Sequence, residues 1–170
     1  MTKAVITKIS DEQILLKRYY SSGALKYTSR YGMPDELRDR LNSEKEITLE
    51  NYETPGRWRG ESWMKVKIDG ASGEWWHENG QKSREGKWKN GRNEGEWTEW
   101  HENGQKSRVM NYKFGRVDGK MSSWHDNGQK RLERNYKKGL KDGRSITWNR
   151  EGRIKSEEIF EKGHSIESIE

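Results

Sequence analysis

The sequence predicts an all-β protein, an elongated single-layer antiparallel meander of six stacked β-hairpin repeats with one short helical insertion. Two observations carry that expectation. The first is a period of 24 residues: Trp76, Trp100, Trp124 and Trp148 recur at that spacing, as do Gly80, Gly104, Gly128 and Gly152, and Gly91, Gly115, Gly139 and Gly163. A fourth series, Trp88, Tyr112, Tyr136 and Phe160, keeps the same step, and a fixed period of this length marks a stacked-repeat architecture. The second is composition. Apolar residues make up only 28% of the chain and charged residues 36%, too little for a thick core, yet nine Trp and seven Tyr supply large buried areas that disordered segments lack. A sheet one layer thick, each unit packing on its neighbours, satisfies both.

Taken in order, residues 1–13 read as an N-terminal capping strand around Ala4-Val5-Ile6. Residues 14–37 form a degenerate first repeat, because Tyr19, Gly23 and Tyr31 precede Trp76, Gly80 and Trp88 by 57 residues, two periods plus an insertion of nine. The insertion is 38–46. The segment from Pro34 to Leu41, with early acids and two Leu four apart, predicts a short helix running into it. Residues 47–70 form a degenerate second repeat with Tyr52 and Pro55-Gly56, and the regular repeats are 71–94, 95–118, 119–142 and 143–166.

Within each regular copy, Asn79-Gly80, Asn103-Gly104 and Asn127-Gly128 predict a two-residue type I′ turn, with Glu151-Gly152 as the last copy's weaker version. That loop length pairs Trp100 with Ser107, His101 with Lys106 and Trp97 with Met110. Absent a bulge, one face then holds Trp100, Thr98 and Val109, and the other Trp97, His101, Lys106, Arg108, Met110 and Tyr112. Clusters of Lys-x-Gly around Gly91, Gly115 and Gly139 supply the return turn to the next hairpin. At about 10 Å per copy, six copies predict a ribbon on the order of 60 Å long.

Several function classes are disfavoured. A net charge of +6 invites a nucleic-acid or membrane reading, but the two signs alternate along the strands and form no basic block. There is no Cys, hence no disulfide or thiolate site. His77, His101 and His125 share one repeat position, but copies roughly 10 Å apart do not converge on one ion, and no metal or other cofactor is expected. Neither a nucleophile elbow nor a phosphate loop occurs, so no catalytic residue is assigned. With no apolar run long enough for a signal peptide or a membrane span, the expected location is cytoplasmic.

The run from Gly95 through Trp97, Trp100, His101, Asn103 and Gly104 to Gln105-Lys106, followed by an aromatic and Lys-x-Gly, resembles the MORN-repeat variant of bacterial YwqK-family antitoxins. The likeness is strong over 71–166 and fades over 14–70. It implies stacked hairpins and a non-catalytic protein that neutralises a cognate toxin by binding it; founding MORN repeats are linked with membrane scaffolding. Anionic-lipid scaffolding is therefore the alternative, and single-stranded nucleic acid a lesser one, disfavoured by the interleaved Glu.

The recurring Trp76, Trp100, Trp124, Trp148, Gly80, Gly104, Gly128 and Gly152 read as scaffold, the tryptophans stacking between neighbouring hairpins. Specificity is expected where copies differ, at Trp75/Glu99/Ser123/Thr147 and Arg84/Arg108/Leu132/Ser156. Because Trp and Arg are enriched at binding hot spots, the expected partner surface is Trp75, His77, Lys82, Arg84, Trp97, His101, Lys106 and Arg108, facing a toxin that is acidic at the contact.

Overall fold

The structure, a computed structural model, describes residues 3–11, 13–32, 35–44, 46–50 and 72–169. It holds thirteen strands and one helix: β1 (Lys3–Ser10), β2 (Gln13–Tyr19), β3 (Leu25–Gly32), α1 (Asp35–Ser43), β4 (Glu46–Glu50), β5 (Ser72–Trp76), β6 (Lys82–Lys89), β7 (Arg92–Trp100), β8 (Lys106–Lys113), β9 (Arg116–Trp124), β10 (Lys130–Lys137), β11 (Leu140–Trp148), β12 (Ile154–Glu161) and β13 (His164–Ile169). They make one open antiparallel sheet, ordered β13-β12-β11-β10-β9-β8-β7-β6-β5-β3-β2-β1-β4. The all-β meander with one short helix is thus what the chain forms. No helix among the described residues is long and apolar enough to cross a membrane. Two compact units divide the chain, Met1–Lys82 with Trp88–Gly91, and Ser83–Lys87 with Arg92–Glu170.

In the first unit the apolar residues that the repeats lack are gathered into a small core. Ala4, Ile6, Ile14, Leu16, Tyr27, Leu41 and Ile47 are buried together, with Trp75 packed against them. Each of the larger aliphatics contributes about 1.5–3 kcal/mol by leaving water. Helix α1 brings Leu41 to this core and is tethered by Arg38 Nη1 donating to the Asp11 carbonyl, 2.9 Å, and Lys8 Nζ donating to Asn42 Oδ1, 2.7 Å.

Strand order departs here from chain order. β4 pairs with β1, Ile47 opposite Ile6, so β1 is an interior strand and β4 lies outside it. β3 pairs directly with β5, Tyr27 opposite Trp75. The remainder of that expected second repeat, with Tyr52 and Pro55-Gly56, lies outside the described residues.

In the second unit each copy is closed at two ends by two different turns, and the Asn-Gly end does not take the turn type expected. At the Asn-Gly end, the His101 amide donates to the Gln105 carbonyl, 2.8 Å, and the Gly104 amide to the His101 carbonyl, 2.9 Å. That is a three-residue loop, a type I turn followed by Gly104 at φ 81°, and not a two-residue type I′ turn. The true type I′ turns are the returns. Phe114-Gly115, Lys138-Gly139 and Lys162-Gly163 have positive φ at both residues and join directly paired ends such as Lys113 and Arg116.

The longer loop shifts the register. Trp97 does face Met110, but Trp100 faces Lys106 and not Ser107, because Ser107 is bulged out. Lys106 therefore goes with the Trp100 face, and the surface expected to unite it with Trp97 and Arg108 is split between the two sides of the sheet.

Candidate partner-binding surface

The register lays the copy-variable positions in one continuous row. Glu99 faces Arg108, Arg108 faces Ser123, Ser123 faces Leu132, Leu132 faces Thr147, and Thr147 faces Ser156. Two residues along each strand, and so on the same side, runs a second row of Trp97, Met110, Met121, Arg134, Ser145 and Glu158.

The two ends of the first row differ in character. At one end Glu99 lies between two arginines, 3.7 Å from Arg84 Nε and 3.4 Å from Arg108 Nη1. The Arg84 guanidinium also stacks 4.5 Å from the centre of the Trp97 ring. Trp97 itself is only 1% exposed, its indole N–H donating to the Lys87 carbonyl at 3.2 Å and its ring meeting Tyr112 edge-on at 5.9 Å. It lies over Gly86, where any Cβ would run into the ring. Burial removes Trp97 from a contact surface, and Glu99 already engages Arg84 and Arg108.

The remaining expected contact residues are distributed as follows. Trp75, His77 and Lys82 belong to the first unit, the other five to the second. Trp75 packs against Tyr27 and Trp88 with ring centres 5.0 and 5.7 Å away, and Lys82 is ion-paired to Glu74 at 2.7 Å. His101 Nε2 lies 3.0 Å from the Trp124 carbonyl, and His125 repeats this with Trp148 at 3.1 Å. Asn103 Nδ2 donates to the Asp126 carbonyl, 2.6 Å, and Asn127 Nδ2 to the Arg150 carbonyl, 2.9 Å. The repeated His-x-Asn is thus a staple from each loop to the next. Tyr20 does the same work from the β2–β3 loop, its hydroxyl donating to the Trp76 carbonyl at 3.0 Å. Trp100, Trp124 and Trp148 are half-buried, and the fully buried large side chains come from other positions.

Two roles escaped sequence reasoning although their signals were periodic. Glu94 Oε2 accepts from the Phe114 amide and Asp118 Oδ2 from the Lys138 amide, both at 2.9 Å, so the acid before each of Gly95 and Gly119 caps the neighbouring return turn. The acid-Gly pair recurs every 24 residues. The second lies at the other end of the variable row. There an open groove of about 790 Å³ is lined by Leu132, Thr147 and Ser156 together with Trp148, Arg131 and Lys155.

The repeat carries a family signature. Residues 93–114 and 117–138 match the MORN repeat variant. Each match runs from the start of one strand through the three-residue loop to the first residue of the return turn, so the MORN unit coincides with the hairpins β7–β8 and β9–β10. A MORN repeat suggests a protein- or membrane-binding scaffold. No curated protein matches the chain.

Proposed function

We propose that this protein is a non-catalytic binding scaffold that neutralises a cognate protein toxin by occluding it. The observation that carries the reading is the separation of constant from variable positions. Loop staples, return-turn caps and partly buried aromatics recur from copy to copy and hold the sheet, whereas the row from Glu99 to Ser156, half-buried apart from the buried Ser123, changes from copy to copy along one side. A surface that varies on a constant frame is how a repeat protein acquires partner specificity. Protein is favoured over a lipid surface because acids are interleaved with the cations along the strands and pair with several of them. Lys120 and Lys130 both pair with Glu133, Arg144 with Glu157, and Arg150 with Asp126.

Co-expression with the product of the neighbouring reading frame tests the reading. A stoichiometric complex stable through gel filtration is expected. Retention of anionic vesicles and of no protein would transfer the function to membrane scaffolding.

A further inference from the structure

The groove over the last two regular copies differs from the rest of its face in one chemical respect. In the copy 95–118 the bulged residue is Ser107 and the next is Arg108, which Glu99 holds. In 119–142 and 143–166 the bulged residues are Arg131 and Lys155, and the next are Leu132 and Ser156. The cation has moved one place along the strand, onto the bulge. The Glu99 position is now Ser123 or Thr147. Both Arg131 and Lys155 are exposed, and neither has a hydrogen-bond or ion-pair partner among the described residues. Other basic groups of the groove are engaged: Arg150 with Asp126 at 2.8 Å, and Arg134 Nε with Ser145 Oγ at 2.9 Å. Between the two free cations lie Leu132 and the hydroxyl pair of Thr147 and Ser156, 2.6 Å apart.

Resting on the reading of this protein as a partner-binding scaffold, we propose that this groove receives an extended acidic segment of a protein, two carboxylates meeting Arg131 and Lys155 and an apolar side chain covering Leu132. Glu151 is the groove's one carboxylate, so its charge is complementary to an anion. A nucleic acid needs a basic track along its backbone, and a lipid surface needs a cluster of about four or more cations. Two free cations flanking an apolar floor suit neither. They suit a peptide whose carboxylates and one leucine-like side chain lie on the same side of an extended chain.

The test uses the full chain and a fluorescein-labelled Glu-Leu-Glu-Glu-Leu-Glu peptide. Its glutamine counterpart and phosphatidylserine–phosphatidylcholine vesicles are run in parallel. Two double variants remove equal charge, R131Q/K155Q in the groove and R92Q/R116Q away from it, both checked for fold by circular dichroism. The acidic peptide is expected to bind and the glutamine peptide not to, with affinity falling about tenfold or more in R131Q/K155Q and holding in R92Q/R116Q. Equal loss in both variants, no binding by the unaltered chain, or vesicle binding that depends on Arg131 and Lys155 each overturns the proposal. Capture of the neighbouring gene product separates the two claims. A complex that survives R131Q/K155Q sinks the groove and leaves the partner reading standing, whereas no complex with the unaltered chain sinks the partner reading.

Discussion

Asn103 serves two backbones with one amide. Its Oδ1 accepts from the Gln105 amide at 3.0 Å, shaping its own loop, while its Nδ2 reaches the next loop's Asp126 carbonyl. Asn103 does not adopt a positive φ, which a two-residue type I′ turn would need at both its central residues. Replacing Asn103 by Ala removes two bonds of roughly 0.5–1.5 kcal/mol each and should cost about 1–3 kcal/mol in urea denaturation. Asn149, at the end of the series, accepts from the Glu151 and Arg153 amides within its own loop. Loss at Asn103 no greater than that of an exposed surface substitution would show that the staple contributes nothing. Phe114 presents the opposite case. It stands at φ 51° with 67% of its surface exposed, where the preceding copy has Asn90. Phe114→Asn should therefore stabilise by about 0.5–1 kcal/mol, since Asn tolerates that conformation better; a lower urea midpoint would contradict the assignment.

At the scale of the element, strand pairing rests on one large ring per site and on charges placed across strands. Trp97 over Gly86 predicts that Gly86→Ala costs about 1–3 kcal/mol by overpacking and Trp97→Ala about 3–5 kcal/mol by leaving a cavity. Combined, the two should cost clearly less than their sum, and additive losses would mean that the two residues do not meet. On the other face, hydrogen bonds from Lys120 and then Lys130 hold the Glu133 carboxyl below the usual glutamate range. A carboxyl whose pKa is lower folded than unfolded stabilises above its unfolded value, near about 4.3, and loses that contribution as pH falls through the folded value. Glu133→Gln should thus flatten the fall in stability between about pH 5 and pH 3; an unchanged slope would deny the pairing its part. The hairpin period was legible because Trp, Gly and an aromatic recur at fixed places in the regular copies, and helix α1 because Pro34, early acids and the spacing of Leu37 and Leu41 signal it. The turn types were not, since Asn90-Gly91 carries the type I′ signal openly and Phe114, Lys138 and Lys162 conceal it in the later copies. The longer Asn-Gly loop is what places Lys106 on the Trp100 face. The cations at Arg131 and Lys155 were not legible because a one-residue bulge, invisible in the period, takes them out of the strand pairing.

For the whole molecule, the two units divide the labour. The first gathers the aliphatics into a core under α1, and the second repeats a thin hairpin whose stability comes from staples, caps and half-buried rings. A frame of that kind leaves one side free to vary, and the function proposed here lives on that side. Its most direct test is growth of cells expressing the neighbouring gene product, with this chain supplied from a separately controlled promoter. The account predicts that growth is restored in proportion to the amount of this chain, and that Asn103→Ala weakens rescue only as far as it lowers the folded amount. Growth unaffected by the chain at any level, with the partner candidate toxic and the chain folded, would contradict it.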